Sequence, residues 1–421
     1  MMIIGLEAIA FDVPRFFISM TELAHARQVD PEKFTVGIGQ REMAVPTPCE
    51  DSVVLAGQAG LTLLKEHNID PASIALLIVG SETGVDHSKP ISSYVHKILG
   101  LSHACRSFEV KHACYGAMAG ITMAVNYLLS GRAKGRKALV IATDIARYGK
   151  ETLGEPTQGA GAVALLISDC PRLIAFDTQH EGFYAKHVMD FWRPLYSKEP
   201  YVNGQYSIQC YLQALEGAYS LYKQSALGSG RDLFNQRFHA CLYHAPFVKM
   251  TQKAHIKLLE IDQQTIFEKD SPLLEAAKQD FKKRVAPYLE LNARVGNIYT
   301  GSLFLSLINY LEDFKPEAIN RPLSLFSYGS GCGAEFMSAA LLSSAQEWRN
   351  RHSFRKQLAQ REQISIPDYE KCLEACGRMD LIDQSVCDPS LWNLDRPLVY
   401  LGNKEHKRIY SLEGVVINDT R

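Results

Sequence analysis

Cys114 stands between a strand-like stretch, Ser107 to Ala113, and a small, apolar, helix-compatible stretch, Ala117 to Leu129. Backbone N–H groups at the start of a helix stabilise negative charge, so a thiol at such a junction ionises more readily. The thiolate is the nucleophilic form, and the glycines around it let a substrate approach closely. A buried structural cysteine is the competing account. Glu82, in Val79-Gly-Ser-Glu-Thr-Gly-Val-Asp86, follows directly on a buried strand. Partial desolvation there lifts a carboxyl towards a useful acid/base range, whereas a loop acid is the ordinary alternative. His244, in Cys241-Leu-Tyr-His-Ala-Pro-Phe-Val-Lys-Met250, is fixed between apolar residues and a proline. It can donate a hydrogen bond to a substrate carbonyl, or it is a satisfied core histidine. Asn297, in Arg294-Val-Gly-Asn-Ile-Tyr-Thr-Gly301, can bind an acyl oxygen or cap a helix. Ser327-Tyr-Gly-Ser-Gly-Cys-Gly333 leaves successive backbone N–H groups open, as an oxyanion hole requires, or makes only a tight turn. Together these supply a nucleophile, a base, an electrophile-orienting group and an oxyanion site, a set compatible with acyl transfer.

The elements that must position these groups alternate between short β-like runs and helical stretches. Strands are expected at Met2–Phe11, Ile74–Val79, Ser107–Ala113, Ala138–Thr143 and Gly161–Ile167, with helices over 50–67, 88–99 and 115–130. Continuous apolar runs such as Ala-Leu-Val-Ile-Ala-Thr belong to strands buried on both faces, which favours a layered α/β architecture. In the second half, Ile208, Tyr211, Leu212, Leu215, Tyr219 and Tyr222 recur at helical spacing. His239–Tyr243 reads as a strand before His244, Gly296–Leu311 as helix, and Leu323–Tyr328 as a strand before the glycine turn. This order loosely echoes the first half without sequence identity, so duplication is a structural expectation only. The stretch Gln346–Gln363, with Arg349, Arg351, Arg355, Lys356 and Arg361, reads as a solvated helix face.

Composition narrows the class. The 421 residues, 46% hydrophobic and 22% charged, are ample for a large core of two or three domains or a duplicated one. A net charge of −1 offers no global basic surplus for nucleic acid, so an anionic ligand must meet a local patch. The ten cysteines are scattered, without a Cys-x-x-Cys pair, and read as reduced thiols in a cytosolic protein. Cys372 and Cys376, four apart on a helix, lack a matching His/Cys pair and read as ordinary helix residues, not metal ligands. The N-terminus has no basic n-region and carries Glu7 and Asp12, so it reads as a first strand and not a signal peptide. No run approaches a membrane span, and the cytoplasm is the expected location.

From Gly5-Leu-Glu-Ala to about Glu335 the chain resembles the 3-hydroxy-3-methylglutaryl-CoA synthases of the thiolase superfamily. The resemblance is carried by Ile38-Gly-Gln-Arg-Glu-Met-Ala-Val45, Ala-Cys-Tyr-Gly around Cys114, Ile141-Ala-Thr-Asp-Ile-Ala-Arg-Tyr-Gly149 and Gly154-Glu-Pro-Thr-Gln-Gly-Ala-Gly161. Asp190-Phe-Trp-Arg-Pro194, the His244 segment, Val295-Gly-Asn-Ile-Tyr-Thr-Gly-Ser302 and Tyr328-Gly-Ser-Gly331 complete it. It implies a thiolase-like layered α/β/α fold of two related halves, 1–170 with Glu82 and Cys114, and 171–421 with His244, Asn297, the glycine turn and a charged helical C-terminal extension. It also implies a Glu82/Cys114/His244 triad. Cys114 would take an acetyl group, Glu82 would deprotonate it, and His244 and Asn297 would polarise a β-ketoacyl acceptor. The N–H groups of Cys114 and Ser330 would form the oxyanion site. Tyr148 would help bind substrate, and Lys249 and Lys253 would meet the phosphates of a pantetheine-bearing ligand, with surface lysines as the ordinary account. A homodimer without metal or redox cofactor is implied.

Two branches of the family match different segments. Ile38–Val45, Gly154–Gly161 and Asp190–Pro194 look like the bacterial mevalonate enzymes, which use free acetyl-CoA and acetoacetyl-CoA. Glu82 to Pro90, Cys105 to Lys111, Tyr206 to Leu212 and Gly331 to Phe336 look like the polyketide β-branching enzymes, which work on an acyl carrier protein, and the balance of segments leans that way. A thiolase or ketosynthase, with a second catalytic cysteine or a His/Asn or His/His pairing in place of the Glu, is the enzymatic rival. A non-catalytic binding protein is disfavoured because Cys114 and Glu82 are both present.

Overall fold

Buried apolar runs become the strands of one ten-stranded sheet in the computed structural model, which describes residues 2–197, 199–227, 237–379 and 383–417. All seven residues of the strand Ile74–Gly80 and all ten of Gly159–Ser168 are buried, as expected for strands covered on both sides. The sheet runs Ala240–Tyr243, Pro322–Gly329, Gly333–Leu341, Ile174–Phe176, Gly5–Asp12, Gly159–Ser168, Lys137–Ala146, Ile74–Gly80, Arg106–Val110, with Gly182–Ala185 added beside Gly333–Leu341.

The order repeats. Gly5–Asp12 is antiparallel to Gly159–Ser168, which is antiparallel to Lys137–Ala146, which is parallel to Ile74–Gly80. In the second half, Ile174–Phe176 is antiparallel to Gly333–Leu341, which is antiparallel to Pro322–Gly329, which is parallel to Ala240–Tyr243. Two related α/β halves therefore share the sheet, joined where Gly5 and Leu6 pair with Ala175 and Ile174. Glu82 follows Ile74–Gly80 and His244 follows Ala240–Tyr243, so the two side chains leave equivalent strands of the two halves.

The helix Gly116–Leu129, on one face of the first half, shares a core with the helix Ser302–Asp313 from the second, through Met118, Ile121, Phe304 and Ile308. The helix Ser52–Glu66 covers the opposite face with Val54, Leu55 and Leu63, and Gly204–Leu227 and Val248–Gln263 cover the outer face of the second half. Helices thus lie outside and between the half-sheets, a layered arrangement that buries both strand faces. Among the described residues no helix is long and apolar enough to cross a membrane.

Five expectations need correction. The strand before Cys114 stops at Val110, because Ala113 takes a left-handed conformation (φ 39°) that no strand tolerates. The helix expected from Gly296 begins only at Ser302: Gly296 has φ 91° and the Asn297 side chain binds the backbone locally. Gln346–Gln363 is not a free solvated face but two short helices and a two-residue strand. Trp348 is buried, Arg355 reaches Glu290 and Asp313, and Arg361 pairs with Glu42. The cysteines are not all reduced: Cys49 and Cys387 form a disulfide with Cα atoms 5.7 Å apart. A separation of 338 residues leaves no spacing signal for it. The C-terminal extension also carries more than helix, ending in a three-stranded sheet of Leu398–Lys404, Lys407–Leu412 and Val415–Val416.

Candidate active site

The Cys114 thiol points at Glu82, with Sγ 3.8 Å from Oε1. Ala113 makes the sharp turn that presents it, and Gly116 opens the helix behind it. Burial and the neighbouring carboxylates of Glu82 and Asp144 push the thiol well above its usual range. The expected easing of ionisation by the helix start is therefore outweighed. The thiol keeps its proton in the free site and donates it to Glu82.

Glu82 is itself raised well above the ordinary carboxylate range, first by burial and then by Asp144, while Arg193 opposes the rise. Arg193 Nη2 lies 3.4 Å from Glu82 Oε2. The loop carrying Glu82 hangs from Asp144, whose Oδ1 accepts from the N–H groups of Glu82 (2.9 Å) and Thr83 (3.1 Å) and from the hydroxyls of Ser81 (3.1 Å) and Thr83 (2.8 Å). Its Oδ2 accepts from Thr300 N–H at 3.3 Å, and the Thr300 hydroxyl in turn accepts from Ala117 N–H at 2.7 Å. One buried acid thus ties the Glu82 loop, the helix Gly116–Leu129 and the Asn297 turn together.

Asn297 uses Oδ1 for Tyr299 N–H (2.8 Å) and the Ser302 hydroxyl (2.9 Å), which turns the amide NH2 the other way. Gly296 cannot carry a side chain there: a Cβ would lie 1.9 Å from the Gln158 carbonyl. Ser330 sits half-buried in the turn that packs over the Cys114 loop, so close that a Cβ on Gly329 would meet His112 O and Tyr115 N at 2.6 Å. Asp190 anchors that turn, accepting from Gly331 N–H at 3.0 Å and the Tyr328 hydroxyl at 2.6 Å. Tyr148 is half-buried, its N–H donates to Gln158 Oε1 at 2.7 Å, and its ring meets Phe191, which in turn meets Tyr299 beside Asn297.

His244 is 2% exposed and burial holds its imidazole down at about 3, so it is neutral. Its backbone is fixed at both ends, by its N–H to Phe326 O (2.7 Å) and by the Tyr211 hydroxyl on its carbonyl (2.8 Å). Among the described residues its Nδ1 is buried without a partner. A neutral imidazole held this way donates or accepts one hydrogen bond without changing charge. Lys249 and Lys253 lie exposed, one turn apart at the start of Val248–Gln263, immediately beyond the His244 loop and with no described contact to Glu82 or Cys114.

Four residues of this centre escaped the sequence reading of roles: Arg193, Asp144, Asp190 and Tyr211. The first three sit in segments whose charges have no apolar-run explanation, Ile141–Gly149 and Asp190–Pro194, and that was the available signal. Tyr211 reads in sequence only as one apolar position of an amphipathic helix.

Residues 2–171 match the family described as "Hydroxymethylglutaryl-coenzyme A synthase N terminal", and residues 174–272 and 263–413 match its C-terminal counterpart. The hydroxymethylglutaryl-CoA synthase of Enterococcus faecalis is 38% identical over 387 residues, covering 92% of this chain and 95% of that one. The polyketide biosynthesis 3-hydroxy-3-methylglutaryl-ACP synthase PksG of Bacillus subtilis is 34% identical over 385 residues, covering 89% and 88%. The crystal structure of the curacin biosynthetic pathway HMG synthase in complex with acetyl donor-ACP superposes with a TM-score of 0.89 at 32% identity, covering 97% of this chain and 100% of that one.

Proposed function

The chain belongs to the hydroxymethylglutaryl-CoA synthase family of condensing acyltransferases, and from that premise we propose how its own residues divide the work. Cys114 attacks an acetyl thioester, forming the S-acetyl bond as the carbon–sulfur bond to the donor breaks and the donor thiol leaves protonated. The thiol proton passes to Glu82, the acceptor it already faces at 3.8 Å, and from there to the departing donor sulfur, which leaves Glu82 a carboxylate ready to act as base. Glu82 then removes a proton from the acetyl methyl carbon. The resulting enolate attacks the β-ketone of an acetoacetyl-type acceptor held by His244 and the Asn297 amide, and the alkoxide formed there takes up the proton that Glu82 removed, giving the 3-hydroxyl and returning Glu82 to a carboxylate. The N–H groups of Cys114 and Ser330 receive the thioester oxyanion, and water releases the product from Cys114 as a carboxylate. The observation that carries this is the direct Cys114–Glu82 contact beneath the glycine turn, with His244 neutral and rigid.

Tyr148 lines this site in the same reading, and Lys249 and Lys253 hold the phosphates of the pantetheine-bearing substrate. No metal or redox group enters any step, and the working particle is a homodimer.

For the carrier, identity and coverage favour free coenzyme A thioesters, as in a mevalonate-type synthase: the Enterococcus relative exceeds PksG in both. An acyl carrier protein is the second reading. It is supported by the segments around Glu82, Cys105–Lys111, Tyr206–Leu212 and Cys332, and by likeness to an enzyme seen with donor-ACP. The test compares acetoacetyl-CoA with acetoacetyl loaded on a carrier protein from the same genome, each with acetyl-CoA as donor. Equal or better kcat/KM for the free thioester supports the first reading. A tenfold preference for the loaded carrier, about 1.4 kcal/mol of added transition-state binding, supports the second.

A further inference from the structure

Away from the catalytic centre, one cluster of ligating side chains joins the two halves. His67 closes the helix Ser52–Glu66 of the first half, and His352 closes the helix Ala345–Arg351 of the second. Each backbone N–H is held by its own helix, His67 to Leu63 O at 3.2 Å and His352 to Trp348 O at 3.1 Å. The two rings stack with centroids 4.7 Å apart and planes at 28°. The buried Trp348 backs the His352 ring at 5.1 Å. Glu66 brings a carboxylate to the same place, its Oε2 lying 3.3 Å from His352 Nδ1. One donor atom from each of the three lies within 4.8 Å of the other two, and among the described residues no other three His, Cys, Asp or Glu side chains gather in this way.

An ion pair and ring stacking account for Glu66 and His352, but not for His67 Nε2, which is buried without a partner among the described residues. A buried ring nitrogen is costly to leave unpaired. Burial keeps the His67 imidazole unprotonated at neutral pH, which is the ligating form. Both histidines stand at helix C-termini, where the last carbonyls carry partial negative charge and favour a cation. Arg172, whose charge also reaches His67, is paired with Glu347 at 3.7 Å. The 3.3 Å between His352 Nδ1 and Glu66 Oε2 matches the edge, roughly 3.3 Å, of a tetrahedron whose bonds are about 2.0 Å. We propose that Glu66, His67 and His352 bind a first-row divalent cation of the zinc kind, with water in the fourth position, and that the ion clamps the two halves together. Two imidazoles and one carboxylate suit Zn²⁺ and not Mg²⁺ or Ca²⁺, which take oxygen ligands. The site stands apart from the chemistry. It lies at the far end of Ser52–Glu66 from Ser52, whose hydroxyl donates to Thr83 O at 2.8 Å, and fifteen residues of helix put it roughly 20 Å from the Glu82 loop.

Equilibrium dialysis of the chelator-treated full-length protein against Zn²⁺ reads the proposal. The expected result is one equivalent bound by wild type and by Cys114→Ser, and binding at least tenfold weaker in His67→Gln/His352→Gln, with excess Mg²⁺ not competing. Glu66→Gln alters only an exposed side chain and should weaken binding in the same direction with the fold intact. Co²⁺ in place of Zn²⁺ should give the strong d–d absorption of a tetrahedral ion without a thiolate charge-transfer band, and the double variant should lose it. Zn²⁺ should raise the melting temperature of wild type and leave that of the double variant unmoved, while turnover of the metal-free protein is the same in both. The proposal is overturned by the absence of a stoichiometric site, by zinc binding that neither the histidine pair nor Glu66→Gln weakens, by a Co²⁺ spectrum that shows thiolate ligation, or by a wild-type melting temperature that zinc does not raise.

Discussion

Arg193→Gln should move the pH dependence of carbon acid deprotonation upward. Arg193 faces Glu82 with Nη2 3.4 Å from Oε2, and it opposes the burial and the Asp144 charge that hold the carboxyl above its ordinary range. At an effective dielectric of 20, unit charges at that distance attract by about 5 kcal/mol. The Arg193 side chain is 22% exposed, so solvent screens part of this. A shift of roughly 1–3 pKa units, the usual effect of an opposite charge at this range, is the expectation. The base works as a carboxylate, so activity rises as pH climbs through the Glu82 pKa. Without Arg193 that rise occurs at higher pH. Near neutrality the variant should lose roughly 10- to 1,000-fold and recover as pH is raised. The assay is the rate of solvent deuterium entry into the methyl group of S-acetyl-Cys114 across pH, which isolates proton abstraction from condensation and release. Arg193→Lys should restore most of the wild-type profile. A uniform loss at every pH, with the rising limb unmoved, would refute the charge argument and leave Arg193 as a mechanical support for the Glu82 loop.

Glu82→Gln should still acquire an acetyl group on Cys114, more slowly because the thiol loses its acceptor, while condensation falls by about 10²–10⁴; intact-mass spectrometry reads the adduct and thiol release the turnover. Cys114→Ser should show no labile adduct. Burial keeps the folded His244 at about 3 while an unfolded histidine titrates near 6.5. Between those values only the unfolded chain binds the proton, so this contribution to stability is lost as pH falls from about 6.5 towards 3. The melting temperature of wild type should accordingly drop more steeply with acid than that of His244→Asn. Cys387→Ser should cost about 2–4 kcal/mol in denaturant unfolding, and thiol titration of the denatured wild-type chain should gain two thiols on reduction.

Much of the architecture follows from local pattern. The continuous apolar runs at 74–79 and 138–143 became fully buried strands, and the 3.6-residue pattern of Tyr211, Leu215, Tyr219 and Tyr222 became one face of a helix. Glu82, Cys114, Asn297 and the Ser330 turn were each legible because a chemically unusual residue closed a strand or a glycine run. What stayed hidden depended on contacts distant in sequence. The charge state of Cys114 is set by its burial and then by Glu82 and Asp144, brought in from other parts of the chain, and no property of its own junction reveals that balance. Gln346–Gln363 looked solvated because its partners, Glu42, Glu290 and Asp313, lie far away in the chain. Asn297 broke a helix that propensity alone would have continued, since its side chain competes for the backbone.

The seam between the halves has a consequence for synthesis on the ribosome. The first half can pair its five strands as soon as Ser168 has emerged, but the Gly5–Leu6 end of its outermost strand waits for Ile174–Phe176. Those three residues in turn pair with Leu341, Ala340 and Ala339, which arrive much later. A nascent chain stalled between these points carries an apolar open edge, together with the face of Gly116–Leu129 that awaits Ser302–Asp313. Open edges of this kind recruit strands from neighbouring chains. Translation speed through 169–341 should therefore govern the yield of correctly assembled protein, and the N-terminal half expressed by itself should aggregate in proportion to that uncovered surface.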